Sequence, residues 1–152
     1  MTDNVERRSG PFWDAVNGDA PMPPAATLLG WRLQSIAPER GEIEVCFEGR
    51  PEFTNPMGTI QGGFLAAMLD DTLGPALVAT LAPDEFAPTL ELKVSFLRPV
   101  KPGPLLGRGR VVHRGGRIAF LAGDLYDAAG QQVASATATV RIVQFTENRE
   151  DP

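Results

Sequence analysis

Residues 55–71 read NPMGTIQGGFLAAMLDD, and this stretch decides the fold because it opens a long helix with almost no polar side chains. At about 100° per residue, Asp70 shares its helical face with Leu73, and Asp71 shares its face with Met68. A helix that is apolar all round is normally buried, and a carboxylate taken out of water is costly unless it is hydrogen-bonded, paired or used. The pattern therefore predicts a buried central helix in which at least one aspartate takes part in chemistry.

Composition narrows the classes of protein to which the chain can belong. With 152 residues and 43% hydrophobic content, it can form one domain with a core. A net charge of -5 disfavours nucleic acid and anionic membranes as partners. Cys46 is the single cysteine, so no intrachain disulfide can form, and no apolar run resembles a signal peptide or a membrane span. We therefore expect a cytoplasmic protein.

The segments around the helix predict strands joined by short turns. The predicted strands cover residues 27–37, 41–48, 90–96, 105–113, 117–126 and 132–144. The first two form a hairpin, and a glycine-rich reversal predicts another hairpin between the fourth and fifth. The last strand carries Ala134, Ala136 and Ala138 on one face, which is small enough to let a helix approach the sheet closely.

The N-terminal part predicts a short helix and an extended connector. Phe12, Trp13 and Val16 have helical spacing within residues 5–18, whereas residues 20–26 contain several prolines. The predicted divisions are residues 1–26 for the helix and connector, 27–145 for the main domain and 146–152 for a polar tail.

The order of the elements indicates an α+β fold. Two strands, one long helix and four further strands show no parallel alternation of strand and helix. A strongly curved antiparallel sheet wrapped around one central helix satisfies this order, because it buries a helix that has no polar face. This arrangement is the hotdog fold.

With these residues laid out, the chain resembles hotdog-fold acyl-CoA thioesterases of the phenylacetate-degradation (PaaI-like) branch over roughly residues 28–143. The signature of that branch is an asparagine, a histidine and two glycines that open the helix, and an aspartate in its middle. Asn55, Gly62, Gly63 and Asp70 stand at the matching positions. The resemblance therefore implies hydrolysis of an acyl-CoA to a free acid and coenzyme A.

The resemblance also implies a role for each matched residue. Asp70 would be the catalytic carboxylate, as a nucleophile or a general base, and Gly62 would donate its backbone N–H to the thioester oxygen. Asn55 would orient the substrate or a water, and Thr89 matches a hydroxyl position used in some members. Gln61 replaces the usual histidine and cannot titrate near neutrality, so we expect it to hold the carbonyl or a water.

The chemistry of thioester hydrolysis independently fits Gly62 and Asp70. A free N–H at a helix N-terminus can stabilise an oxyanion, and burial raises the basicity of a carboxylate. The two residues are eight positions apart, which places them about 12 Å apart along the helix axis. One carbonyl cannot touch both, so we expect sites shared between the subunits of a homodimer, and the resemblance adds the pairing of dimers into a homotetramer.

Further residues are candidates for holding the substrate. Gly63 would let the substrate approach the backbone at the helix start. The candidates for lining an acyl pocket are Met57, Ile60, Phe64, Leu65 and Met68, and those for binding the phosphates of coenzyme A at two turns are Arg98, Lys101, Arg114 and Arg117. Each also has a plainer interpretation, as core packing or as part of a solvated turn. Coenzyme A is part of the substrate, and we expect no separate cofactor and no metal.

Two alternatives to hydrolysis stay open at this point. A noncatalytic acyl-CoA binding protein would explain Gln61 as lost chemistry, although Asp70 in a costly environment argues against it. A hotdog hydratase or dehydratase would pair a histidine with an acidic residue, but His113 lies in a predicted strand away from the helix.

Asp71 has a structural interpretation. Pro75 cannot bond the carbonyl of Asp71, so a kink or a polar partner is expected there.

Overall fold

The structure is a computed structural model, and it describes residues 8–145. In chain order its helices and strands are α1 (Pro11–Asn17), α2 (Pro24–Leu29), β1 (Arg32–Ala37), β2 (Glu42–Gly49), α3 (Gly62–Val78), β3 (Glu85–Phe86), β4 (Thr89–Phe96), β5 (Gly103–Arg114), β6 (Ile118–Tyr126), β7 (Gln132–Arg141) and β8 (Val143–Gln144). The order of elements from β1 to β7 agrees with the predicted α+β arrangement.

One antiparallel sheet and the helix α3 form the body of the molecule. The strand order is β1-β2-β5-β6-β7-β4, so β1 and β4 are the two edges. Helix α3 packs mainly against β5 and β6 and buries Met68, Leu69 and Leu73 completely. These side chains join those from the inner face of the sheet, such as Phe47 and Leu121, in one core. The predicted hotdog fold is confirmed.

Glycines on two central strands bring α3 close to the sheet. A Cβ built on Gly109 would lie 3.0 Å from the carbonyl oxygen of Thr72, and one built on Gly123 would lie 2.6 Å from the Cδ2 atom of Leu73. The alanine face of β7 is buried as predicted. The prediction nevertheless missed the glycines of β5 and β6, which permit the close approach because they have no Cβ.

The prediction for the N-terminal part is correct for α1 and wrong for the segment that follows. Helix α1 lies within the predicted range, of which residues 5–7 fall outside the described chain. Helix α2 replaces the end of the predicted connector and the first residues of the predicted strand. Pro24 sets a helical φ at the start of this helix, and Gly30 ends it at φ 68°.

The last predicted strand is also divided. Strand β7 ends at Arg141, and Val143–Gln144 instead pairs with Glu85–Phe86 in a separate two-stranded sheet. The rings of Phe86 and Phe145 stack with centroids 4.4 Å apart beside this pair. The predicted polar tail, residues 146–152, lies outside the described residues.

Helix α3 is not buried all round, which corrects the expectation drawn from its apolar sequence. Gly63, Ala67 and Asp70 are exposed along one side of the helix. On the neighbouring edge strand β4, Leu90 and Phe96 are 58% and 55% exposed. The protomer therefore has an open sheet edge and a partly uncovered helix on the same side of the molecule.

Candidate active site

Asp70 and Thr89 are brought together by the packing of α3 beside the edge strand β4. Thr89 is the first residue of β4, and its hydroxyl donates a hydrogen bond of 3.0 Å to Oδ1 of Asp70. Both residues are exposed. The hydrogen bond orients the carboxylate and leaves its other oxygen available to a substrate or a water, which is the arrangement that a nucleophile or general base needs.

The start of α3 provides the second chemical element of the site. Gln61 precedes the helix in an extended conformation, and its side chain makes no capping hydrogen bond. Within the described chain, the backbone N–H groups of Gly62 and Gly63 have no acceptor. A Cβ built on Gly62 would lie 3.0 Å from the ring of Phe96, so a larger residue there would crowd this side chain. Free N–H groups at this helix N-terminus can stabilise developing negative charge.

Asn55 uses its side chain within its own loop. Its Oδ1 accepts hydrogen bonds from the backbone N–H groups of Met57 and Thr59, at 3.0 and 3.2 Å, and its Nδ2 lies 3.0 Å from the hydroxyl of Thr59. These contacts fix the turn that leads to the helix start. Asn55 thus acts as a turn residue in this structure, while its expected role toward substrate or water stays a prediction.

Asp71 lies in a very different environment from its neighbour Asp70. Its Oδ2 atom is buried and has no hydrogen-bond partner in the described chain. Burial, and to a lesser extent the negative charge of Asp70, raise the pKa of Asp71 from 3.8 to about 6. Asp71 is therefore a carboxyl group that exists in both its neutral and its ionised forms near neutral pH.

The expected break in the helical hydrogen bonds at Pro75 is present and has a specific partner. Pro75 lies inside α3, and the indole Nε1–H of Trp31 donates a hydrogen bond of 2.8 Å to the carbonyl oxygen of Asp71. Trp31 is buried, with 8% of its surface exposed. The side chain of Trp31 thus supplies the donor that proline lacks.

A cavity of about 500 Å³ lies beside the two aspartates. Its walls include Asp70, Asp71 and Thr89, and helix α1 contributes Phe12, Ala15 and Val16. Met22, Trp31 and Val78 extend the apolar lining. The ring of Phe12 makes an edge contact with that of Trp31, with 6.4 Å between centroids, so α1 is held against the rest of the wall. The sequence pattern predicts helix α1 but does not indicate that this helix lines a cavity.

The other predicted substrate-binding residues are dispersed in the protomer. Met57 is 85% exposed, while the ring of Phe64 stacks on that of Phe53 with 4.2 Å between centroids. Arg98 lies in the turn before β5 and Arg114 at the end of that strand, so about 37 Å of strand separates the two basic turns.

The basic turn after β5 has contacts of its own. Arg114 approaches Glu85 at 3.8 Å, and Arg117 lines a separate cavity of about 440 Å³ with Arg141. Arg98 and Lys101 are exposed in the turn at the other end of the strand. Roles of these residues in binding coenzyme A stay predictions.

His113 is exposed on β5 opposite Phe120 and does not line the cavity with Asp70. A hydratase site that pairs this histidine with an acidic residue therefore has no support in the geometry. Among the described residues, no cluster of three or more histidine, cysteine or acidic side chains is placed to hold a metal ion. Likewise, no helix within residues 8–145 is long and apolar enough to cross a membrane.

The fold is that of the hotdog class, and one helix carries both the carboxylate of Asp70 and a glycine-containing N-terminus. A sequence profile of the Thioesterase superfamily matches residues 57–134, about half of the chain. The chain belongs to this superfamily and is a thioesterase. The matched range includes Gln61, Gly62, Asp70 and Thr89, and it excludes the N-terminal wall of the cavity.

Individual proteins support this assignment. A Saccharolobus solfataricus protein, provisionally named an esterase, is 32% identical over 107 residues, covering 70% of this chain and 75% of that protein. A Ralstonia eutropha structure, provisionally described as a thioesterase related to phenylacetic acid degradation, is 39% identical with a TM-score of 0.83, covering 86% of this chain and 98% of the other. Its likeness places this chain among PaaI-like hotdog thioesterases.

A more distant structure shows how well the fold itself is retained. The PaaI protein of the Escherichia coli phenylacetic acid degradation operon superimposes with a TM-score of 0.78 at 19% identity, covering 89% of this chain and 95% of that protein. At this level of identity the likeness shows the fold alone.

Proposed function

We propose that this thioesterase hydrolyses acyl-CoA thioesters to a free acid and coenzyme A, at sites formed by two copies of the chain. The observation that carries the proposal is the position of Asp70. Its carboxylate is exposed and held by Thr89 beside an open sheet edge, and the free N–H of Gly62 lies eight residues earlier on the same helix. Because eight residues span about 12 Å, one thioester cannot meet both groups within a protomer.

The open edge of β4 supports the arrangement of two subunits. Phe96, at one end of β4, lies against Gly62, whereas Thr89, at the other end, binds Asp70. Antiparallel pairing of two β4 strands about their middle would bring the Gly62 end of one subunit to the Asp70 end of the other. This pairing would also cover the exposed Leu90 and Phe96 and remove the unpaired edge.

Each group then has a defined step in the reaction. The N–H of Gly62 of the partner subunit would bind the thioester oxygen and stabilise the oxyanion of the tetrahedral intermediate. Asp70 would attack the carbonyl carbon itself or take a proton from the attacking water. The intermediate then collapses, the carbon–sulfur bond breaks, and coenzyme A leaves as a thiol after protonation. In the first route a further water would hydrolyse the anhydride formed with Asp70.

Gln61 and the arginines have supporting roles in this proposal. Gln61 is exposed at the helix start, where its amide could hold the thioester carbonyl or a water. Arg114 and Arg117 lie in the hairpin after β5, near the end of β7 that pairs with Thr89. Their guanidinium groups would bind phosphates of coenzyme A, whose negative charge complements them in an otherwise acidic protein.

Thiol release from a panel of acyl-CoAs tests the proposed function. We expect Asp70→Asn, which keeps the shape of the side chain, to lower kcat/KM by about 10²–10⁴-fold, since the variant loses its base or nucleophile. Asp84→Asn is a matched control because Asp84 is exposed and lies outside the site. Equal rates for wild type and Asp70→Asn would contradict the assignment of Asp70. Binding of acyl-CoA without thiol release would instead indicate a noncatalytic binding protein.

A further inference from the structure

The cavity between α1 and α3 combines an apolar lining with a pair of carboxyl groups. Phe12, Val16 and Trp31 supply apolar surface, and Asp70 lies at the same wall as Thr89. The volume of about 500 Å³ is within the range of about 300–1,000 Å³ that holds small-molecule ligands. An acyl group whose carbonyl carbon lies at Asp70 can therefore extend into this space.

We propose that this cavity is the acyl pocket, and that Asp71 makes the pocket selective for uncharged acyl groups over acyl groups that end in a carboxylate. The inference rests on the proposed function, because it takes Asp70 as the group that meets the thioester. It adds a substrate preference, and it assigns to Asp71 the role of a specificity-determining residue.

The selectivity follows from where Asp71 lies. One of its oxygens is buried without a partner, and within the described chain no arginine, lysine or histidine lines the cavity. An anionic acyl tail would lose its hydration among apolar side chains and would meet a second negative charge at Asp71. An uncharged tail has neither cost, so the free-energy difference between the two substrates favours the uncharged one.

The selectivity should depend on pH in a definite direction. Asp70 and Asp71 are the titratable groups among the described residues that line the cavity, and α1, α2 and Trp31 face them with apolar side chains. Because the pKa of Asp71 is raised to about 6, the group is mostly neutral at pH 5 and mostly ionised at pH 8. The carboxylate tail should therefore be rejected more strongly as the pH rises through 6.

A filling substitution on α1 tests whether the cavity holds the acyl group. Ala15 lines the cavity, and Ala15→Phe places a ring in it; Ala25→Phe makes the same change at an exposed site on α2 that is not part of the wall. We expect Ala15→Phe to lower kcat/KM for octanoyl-CoA by about tenfold or more relative to acetyl-CoA, and Ala25→Phe to leave the ratio unchanged. An unchanged ratio in a folded Ala15→Phe would overturn the pocket assignment.

Two substrates of equal chain length test the role of Asp71. Hexanoyl-CoA and adipyl-CoA differ in the carboxylate at the end of the acyl chain, so the ratio of their kcat/KM values isolates its effect. We expect Asp71→Asn to lower the hexanoyl preference by about fivefold or more at pH 8, and to remove the rise of this preference between pH 5 and 8 that the wild type shows. A purely structural role would lower both rates together and leave the ratio unchanged, which would overturn the inference about Asp71.

The inference can fail separately from the proposed function. If the wild type releases no thiol from any acyl-CoA, the proposed function is wrong. In that case, calorimetric measurement of the binding of hexanoyl-CoA and adipyl-CoA to the wild type, Ala15→Phe and Asp71→Asn tests whether the cavity holds the acyl group. The same preferences in binding would support the acyl pocket, and equal binding to all three proteins would overturn it.

Discussion

Two adjacent aspartates acquire different properties because one step along a helix turns a side chain by about 100°. Asp70 faces the open side of α3 and receives a hydrogen bond from Thr89. Asp71 has one buried oxygen that lacks a partner within the described chain, and burial together with the charge of Asp70 raises its pKa to about 6. The exposed, hydrogen-bonded position of Asp70 suits a reacting carboxylate, whereas the burial of Asp71 disfavours the ionised form of that carboxyl group.

The pKa of Asp71 predicts how the stability of the fold changes with pH. The unfolded chain ionises this group near the ordinary value of 3.8, whereas the folded chain keeps its proton up to about pH 6. The neutral carboxyl therefore stabilises the fold fully below 3.8, and this contribution is lost as the pH rises through 6. We expect Asp71→Asn, which stays neutral, to gain about 1–3 kcal/mol in unfolding free energy over the wild type between pH 4 and 8.

Urea denaturation at a series of pH values measures this difference. The advantage of Asp71→Asn over the wild type should be smallest at pH 4 and largest at pH 8. Asp84→Asn serves as the control at an exposed aspartate. An advantage that does not vary with pH would contradict a raised pKa at Asp71.

For individual residues, the sequence predicts which side chains have an unusual role better than it predicts their hydrogen-bond partners. The two carboxylates in an apolar helix and the unbonded carbonyl opposite Pro75 could be predicted from local spacing. The partner of that carbonyl, Trp31, lies forty residues earlier in the chain. The hydroxyl of Thr89 likewise reaches Asp70 from a different strand. Such contacts depend on how distant elements pack, which periodicity does not encode.

Helix α3 illustrates how one element accommodates a proline without losing its place in the core. The residues on both sides of Pro75 remain helical, and the indole of Trp31 bonds the carbonyl left free. Pro75 and Trp31 also line the cavity. The same contact therefore supports the helix and fixes part of the cavity wall.

A double-mutant cycle measures the contribution of this contact. We expect Trp31→Phe to lower the unfolding free energy by about 1–3 kcal/mol, because a buried carbonyl loses its donor. Pro75→Ala restores a backbone N–H at that position, so the hydrogen-bond part of the loss should shrink when Trp31→Phe is made in the Pro75→Ala background. The measurement is chemical denaturation of the wild type, the two single variants and the double variant. Additive changes would show that the indole contributes packing alone.

The elements themselves were predictable where their pattern was local and strong. The central helix, the hairpins and the edge strand β4 follow from apolar periodicity and turn residues. The prolines of residues 20–26 predict an extended connector, and helix α2 forms instead because a proline is favourable in the first turn of a helix. The exposed side of α3 could not be predicted, because an apolar helix can be buried by its own chain or by a second subunit, and the sequence does not distinguish the two.

At the scale of the whole molecule, the described protomer leaves uncovered the surface that the proposed dimer would use. The side chains of Leu90 and Phe96 on β4 are more than half exposed, and Asp70 lies at the Thr89 end of this strand. The separation of about 12 Å between Gly62 and Asp70 along one helix independently indicates a site shared by two subunits. A site that requires two subunits explains both observations.

Complementation between inactive variants tests shared sites directly. We expect Gly62→Val and Asp70→Asn each to abolish most activity in separate homodimers. When the two proteins are unfolded together and refolded as an equal mixture, half of the dimers should be mixed, and each mixed dimer contains one intact site. Thiol release should return to about a quarter of the wild-type rate. No recovery in a mixture that forms dimers by light scattering would contradict sharing of sites.

The groups proposed to carry out the reaction and the wall proposed to select the substrate lie on separate parts of the sequence. The superfamily profile matches residues 57–134, whereas α1, Met22 and Trp31 precede that range. Substitutions of the α1 residues and Met22 can therefore change the cavity wall while the residues proposed for the reaction stay the same, whereas Trp31 is constrained by its hydrogen bond to the carbonyl of Asp71. Related thioesterases could diverge in substrate while keeping one reaction, and exchange of this N-terminal segment offers a route to engineering new acyl preferences.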